Sequence, residues 1–232
     1  MQNSVISIKI KQRLNKLDSQ DYDNIECWQI VEAFNKAQVE WVRRQLHGLN
    51  VVKEGDEQST RRIDDLQALL ITTDLPSNNE QIAYSIGIPE NYLQWKRVDA
   101  YAKQGCCDNR RMTIYLAEEA NVNQLLRDDG KKPSFAWAET FATIKNNKVY
   151  IYTNEDFEIT KTAITYYRQP RKIQIQGCID PYTGEQSTTN VLCEFKDDII
   201  EVILDDAASI IAGDIESVNQ FSRGSQTSER NN

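Results

Sequence analysis

The sequence predicts an α+β chain. The expected parts are a helical bundle from N-terminal helices and one C-terminal helix, a β-rich lobe inserted between them, and a polar C-terminal arm. Three observations carry this. Apolar residues recur every three or four positions as far as Leu46, alternate in short runs between turn signals from about Leu69, and return to helical spacing between Phe195 and Ile211. The implied divisions are residues 1–66 (bundle helices), 67–177 (lobe), 178–213 (loop and closing helix) and 214–232 (arm).

The first helix is expected over about Ser4 to Lys16, with Ile6, Ile10 and Leu14 spaced by four. "DSQDYDN" then breaks the pattern. Asn24 is the expected N-cap, and Glu26 suits the positive end of the next helix dipole. That second helix runs from about Ile25 to Leu46, with Trp28, Val31, Phe34, Ala37, Trp41 and Val42 on its stripe. Gly48 stops it, and a polar loop leads to a shorter segment, Arg61 to Leu70.

Strand-like runs follow: "ALLITTDL", "QIAYSIGIP", "RRMTIYLAE", "AWAETFATI", "KVYIYT" and "FEITKTAITYYRQ". "NNK" at Asn146 to Lys148 and "TNEDFE" are turns, and Pro89, Pro133 and Pro170 bound runs. Glu90 to Lys103 fits a helix or antiparallel strand, and is read here as a strand pair. The last run places Ala163, Thr165 and Tyr167 on one face and Ile164 and Tyr166 on the other, then meets Arg168, Arg171 and Lys172. After the turn-rich "DPYTGEQSTTN", Phe195, Ile199, Val202, Ile203 and Ile210 mark the closing helix, with Gly213 as its stop. The polar residues beyond have the composition of a tail that orders on a partner. Neither terminal segment buries its stripe alone, so the terminal helices are expected to pack together.

Net charge is −8, which argues against a free-standing protein that neutralises many phosphates. Cys193 to Ser217 holds nearly all of it, with Lys196 against eight acids. Five cysteines (Cys27, Cys106, Cys107, Cys178, Cys193), no CxxC spacing and a single histidine argue against zinc. Free thiols in a reducing cytoplasm are expected. Met1 to Lys9 lacks a leader's charged-then-apolar order, and no apolar run approaches about 18 residues, so no membrane anchor is expected.

Catalytic chemistry finds little support. His47, at a helix C-terminus, suits a capping or surface role. Phosphate-cradle, zinc-protease and nucleophile-elbow motifs are absent from the sequence. Asp197/Asp198 and Asp205/Asp206 invite a metal site, and Asp198 and Asp205 share a helix face. A two-metal nuclease draws its carboxylates from several elements, whereas these sit on one helix opposite its apolar stripe. They read as a solvated acidic face. Tyr150, Tyr152, Tyr166 and Tyr167 read as strand packing before a platform for stacked bases. Arg168, Arg171 and Lys172 suffice for a salt-bridge seam and are thin for nucleic acid. No catalytic, cofactor-binding or metal-binding residue is expected, nor any cofactor.

Three stretches carry a resemblance: "KLDSQDYDNIECWQIVEAFNKAQVEWVRRQL"; the lobe from "YSIGIPENYLQWKRV" to "VYIYTNEDFEITKTAITYYRQP", with its P-x-x-Y-L and Y-Y-R-x-P; and "FKDDIIEVILDDAASIIAGDIES" with its polar tail. In these the chain resembles head-to-tail connector proteins of tailed bacteriophages, the adaptor or ring proteins below the portal, and most nearly the ring proteins of crAss-like phages. The resemblance implies a non-enzymatic virion protein of the neck, assembled in the host cytoplasm. It implies a ring of many copies, commonly twelve, docked on the portal, with the next tail or ring protein beyond it and genomic DNA passing in transient contact. A helical ring body, an outward β lobe and a C-terminal arm between portal subunits belong to the same picture.

On this chain the resemblance implies a portal-binding arm at Asp214, Ile215, Val218, Phe221 and Arg223. It places inter-subunit or seam contacts at Trp28, Trp41, Arg43, Arg44, Arg168, Arg171 and Lys172. Channel-facing acids would be Asp198, Glu201 and Asp205, where like charge lets DNA slide; the same face also fits solvent or a basic neighbour. Two alternatives come from other classes: a metal-dependent, nuclease-like DNA-processing accessory enzyme using the acidic helix, and a monomeric regulatory binding module.

Overall fold

The computed structural model describes residues 1–15, 25–48, 64–75, 78–79, 83–214 and 226, and its architecture is mixed α+β. In chain order the elements are α1 (Asn3–Asn15), α2 (Cys27–His47), β1 (Leu70–Leu75), β2 (Asn78–Asn79), β3 (Ala83–Gly87), β4 (Tyr92–Gln104), β5 (Cys107–Leu116), α3 (Val122–Arg127), β6 (Glu139–Lys145), β7 (Lys148–Tyr152), β8 (Glu158–Arg168) and α4 (Asp197–Asp214). The chain divides into two compact units, residues 1–68 with 170–232, and residues 69–169.

In the first unit the helical spacing does what the sequence suggests. Ile6, Ile10 and Leu14 of α1 are buried, as are Ile30, Val31, Phe34, Ala37, Trp41, Val42 and Leu46 of α2. Both helices pack on α4, whose Ile199, Ile200, Ile203, Leu204, Ala207 and Ile211 are buried. The Trp41 ring meets Phe195 edge-on at 5.3 Å. Glu26 is the N-cap of α2, and its backbone N–H donates to Gln29 Oε1 at 2.9 Å. Asn24, the expected N-cap, lies outside the described residues. Gly48 ends α2 at φ 69, a left-handed conformation that glycine adopts without a Cβ clash. Gly213 does not stop α4, which continues to Asp214; one glycine costs a helix only about 1 kcal/mol.

The second unit is one sheet of eight strands in the order β1-β8-β4-β5-β6-β7-β3-β2. Every pair is antiparallel except β5–β6. A parallel pair needs a crossover, and residues 117–138 supply it. That crossover contains α3, a helix with no strong sequence signal. Val122, Leu125 and Leu126 of α3 cover Phe141 and Tyr152.

Glu90 to Lys103 resolves into the single strand β4 rather than a strand pair. Val98, Ala100 and Ala102 are buried at period two, and a strand, not a helix, puts such residues on one face. Asn146 and Asn147 (φ 50 and 57) form the two-residue turn between β6 and β7, where asparagine tolerates positive φ. The tyrosines of the β8 end belong to the interior: Tyr166 and Tyr167 are 1% and 2% exposed. Among the described residues no helix is long and apolar enough to cross a membrane.

Phe141 is fully buried, stacked on Tyr152 at 4.8 Å and close to Tyr115 at 6.0 Å. Phe141→Ala removes the centre of that cluster and is expected to destabilise the unit by about 3–5 kcal/mol in equilibrium urea unfolding. A loss below about 1 kcal/mol would contradict the packing described here.

Candidate functional site

The densest charged constellation lies where α1 and α2 meet α4. Lys9 and Arg13 are one helical turn apart on α1, and Glu201 and Asp205 one turn apart on α4, so the rows match rung for rung. Lys9 pairs with Glu201. Arg13 bridges both acids, Nη2 donating to Glu201 at 2.7 Å and Nε to Asp205 at 2.5 Å. One residue further, Asp206 is buried and pairs with Arg44 of α2.

Burial alone would push the Glu201 carboxyl pKa up, but hydrogen bonds and charge from Lys9 and Arg13 outweigh it and hold the group below its ordinary value. The same bonds raise the Arg13 pKa against the opposing pull of burial. The expected solvated acidic face is therefore corrected at Glu201, Asp205 and Asp206. Asp198 is exposed. The physical reason is that α1 brings its basic row over the acids of α4, a pairing invisible in the spacing of α4 alone.

The basic knot is also engaged. Arg171 grips Glu194 twice, its backbone N–H at 2.9 Å and its Nε at 3.1 Å, and the Glu194 side chain is only 5% exposed. Lys172 Nζ sits 3.2 Å from the centre of the Tyr182 ring, a cation–π contact. Burial raises the Tyr182 phenol pKa, and the carboxylates of Glu32 and Asp180 raise it further. Arg168 belongs to the β unit, where its Nη1 donates to the Gln169 carbonyl at 3.2 Å. Of the other expected contact residues, Trp41 is buried against Phe195, Trp28 is half-buried and Arg43 is exposed. Asp214 is the exposed last residue of α4; Ile215, Val218, Phe221 and Arg223 lie outside the described residues.

Three buried amides, missed by sequence reasoning, hold the return segment after Pro170. Asn35 Oδ1 accepts from the Ile173 backbone N–H at 2.8 Å, and Gln38 Nε2 donates to the Arg171 carbonyl at 3.0 Å. Asn3 Nδ2 donates to the carbonyls of both Gln174 and Val191, at 2.7 and 2.9 Å. The signal that could have found them is polar residues on an apolar stripe: Asn35 and Gln38 interrupt the buried face of α2.

The same segment brings Cys178 to Cys27, and the two form a disulfide with Cα atoms 5.8 Å apart. The expectation of five free thiols is corrected at these two positions, which the amide latch carries together across 151 residues of sequence. Cys106 is free and exposed, and Cys193 is free and buried. Burial pushes the Cys193 thiol pKa up, which suits packing rather than nucleophilic attack.

His47 is exposed in the last turn of α2. Tyr150 is half-buried under Lys145, whose Nζ lies 4.7 Å from the ring centre, while Tyr152, Tyr166 and Tyr167 are interior. Among the described residues no group of three or more His, Cys, Asp or Glu side chains is placed to hold a metal ion. Among the described residues the most exposed large apolar side chain is Trp137, 81% exposed on a turn pinned by backbone bonds between Ser134 and Glu139.

No known family model matches the chain, and no curated protein matches it.

Asp206→Ala removes a buried acid paired with Arg44 and is expected to cost more in urea unfolding than Glu201→Gln, because the half-exposed Lys9–Glu201 pair contributes no more than about 1 kcal/mol. Equal losses from Asp206→Ala and Glu201→Gln would overturn that ranking. The pH dependence has a definite sign. Because the folded-state pKa of Glu201 is depressed below 4.5, its contribution is fully present above pH 4.5 and is lost as pH falls through the folded value. Glu201→Gln should flatten that acid-side loss in thermal melts; an unchanged acid profile would remove Glu201 from the seam.

Proposed function

We propose that the protein is a structural, non-enzymatic subunit of an oligomeric ring that connects capsid to tail in a bacteriophage virion, docked on the portal with DNA passing through the ring. The observation that carries the reading is the partition of the chain. Its first and last segments join in one helical unit, and the intervening residues form a separate β unit. That is the arrangement implied for connectors by the sequence stretches at Lys16–Leu46, Tyr84–Pro170 and Phe195–Ser217.

In this reading α1, α2 and α4 form the bundle that makes the ring body, the sheet is the β lobe, and residues 214–232 are the portal-binding arm. Ion pairs that tie α1 to α4 suit a ring body, because they fix helix register as well as contributing stability. Trp137 supports the reading from the other unit, since a large apolar side chain left exposed on a hydrogen-bonded turn suits an interface anchor. The nuclease alternative loses support, because Glu201, Asp205 and Asp206 are committed to Lys9, Arg13 and Arg44 rather than aimed at a common point.

The test is native mass spectrometry of the purified chain, alone and with portal protein. A closed ring of many copies, or a monomer that assembles only on portal, is the expected result. A monomer or dimer indifferent to portal would overturn it. Removing residues 215–232 should leave the fold intact by circular dichroism yet abolish portal docking; a truncated chain that docks normally would remove the arm from the proposal.

A further inference from the structure

We propose that the Cys27–Cys178 bond is a redox-governed clasp. It holds the turn at residues 176–189 against the start of α2, and a thiol reductant releases that turn while the helices of the same unit stay packed. The proposal stands independently of the ring reading.

Two sets of attachments hold the segment that returns from the β unit. At its root, Asn35 and Gln38 bind the backbone of Ile173 and Arg171, and Asn3 binds Gln174 and Val191 together. None of these involves the turn itself. Within the turn the backbone bonds are local: Gly177 N–H to Ser187 O, Ser187 N–H to Cys178 O, Asp180 N–H to Glu185 O and Gly184 N–H to Asp180 O. They shape the turn without fastening it to a helix. Fastening to α2 comes from the disulfide, with the Tyr182 side chain, which hydrogen-bonds Asn35, as a second contact. Cleaving the bond therefore leaves the root latched and the turn attached to α2 through the Tyr182 side chain alone, while Gln174 Nε2, which donates to Asp180 Oδ2 at 3.2 Å, and Lys172, over the Tyr182 ring, tie the turn only to the root segment. Local opening follows the number of such attachments.

The chemistry is a thiol–disulfide exchange. One thiolate of a dithiol reductant attacks a sulfur of the bond, the other cysteine leaves as a thiolate, and the reductant's second thiol then displaces the first cysteine. Two electrons pass to the protein, two protons complete its thiols, and the reductant becomes a cyclic disulfide. A small disulfide oxidant runs the exchange backwards. The free thiols are not interchangeable with this pair. Cys106 is in the other unit, and Cys193 is buried with its Sγ 4.0 Å from Gln38 Oε1. The turn itself carries exposed apolar side chains, Ile179 at 52% and Tyr182 at 50% exposed, so the bond governs whether they are presented in one fixed position.

The full-length chain tests this. Free thiols are blocked with N-ethylmaleimide under non-reducing conditions, and peptide mapping looks for the Cys27–Cys178 linkage. Hydrogen exchange of peptides covering 176–189 is then measured with and without dithiothreitol, in the wild type, in Cys178→Ser and in Cys106→Ser. The expected result is a linked peptide and exchange across the turn about tenfold faster on reduction, with α4 unchanged. Cys178→Ser should sit at the reduced level in both buffers, and Cys106→Ser should respond like the wild type. Three results would overturn the proposal: no linked peptide after mild oxidation, equal exchange in both redox states, or loss of protection in α4 on reduction. The last would make the bond a global staple rather than a clasp.

Discussion

Burial of the apolar stripe of α4 is the constraint on which the helical unit depends. Ile199, Ile200, Ile203, Leu204, Ala207 and Ile211 leave water together, and the surfaces that cover them come from α1 and α2, at the opposite end of the sequence. Each buried isoleucine or leucine contributes about 1.5–3 kcal/mol, more than a half-exposed ion pair. Packing therefore supplies most of the stability. The rungs Lys9–Glu201 and Arg13–Asp205 set how α1 slides along α4, since a shift of one turn would leave Asp205 or Lys9 facing no partner.

Bringing chain ends together creates a second problem, the backbone of the long irregular stretch between β8 and α4. A stretch with only isolated bridges has few ladder bonds, and buried backbone groups left unpaired are costly. The structure solves this with side chains. Asn3, Asn35 and Gln38 are nearly inaccessible to water and act as substitutes for a neighbouring strand. Glu194 does the same for the Arg171 N–H while neutralising its guanidinium. The basic knot of "YYRQPRK" is thus architecture, committed inside the chain on its Arg171 side.

The β unit follows another logic. Its one parallel pair, β5–β6, sits mid-sheet, and the crossover that the pair requires carries α3 and the Trp137 turn. Parallel pairing thereby places an exposed tryptophan on a framework held by Arg110, which donates to the Ala136 carbonyl at 2.9 Å and lies over the Phe135 ring at 5.4 Å.

Much of this was legible in sequence because it rests on local periodicity. Ile6, Ile10 and Leu14, the α2 stripe, the α4 stripe and most strands follow from spacing, and the Asn146–Asn147 turn follows from the φ that asparagine tolerates. Pairings between distant residues were not legible. Nothing in the spacing of Glu201 and Asp205 says that Lys9 and Arg13 will face them, and nothing near Cys27 points to Cys178. Helix α3 escaped because six residues give too few turns for a periodic signal. The sequence by itself determined most of which segments are helix and which are strand, α3 and the form of β4 excepted, since that depends largely on neighbours within a few residues. Only the tertiary structure decided which charges are neutralised, which thiols are joined and which apolar side chains stay in water, because each depends on what the rest of the chain brings within a few ångströms.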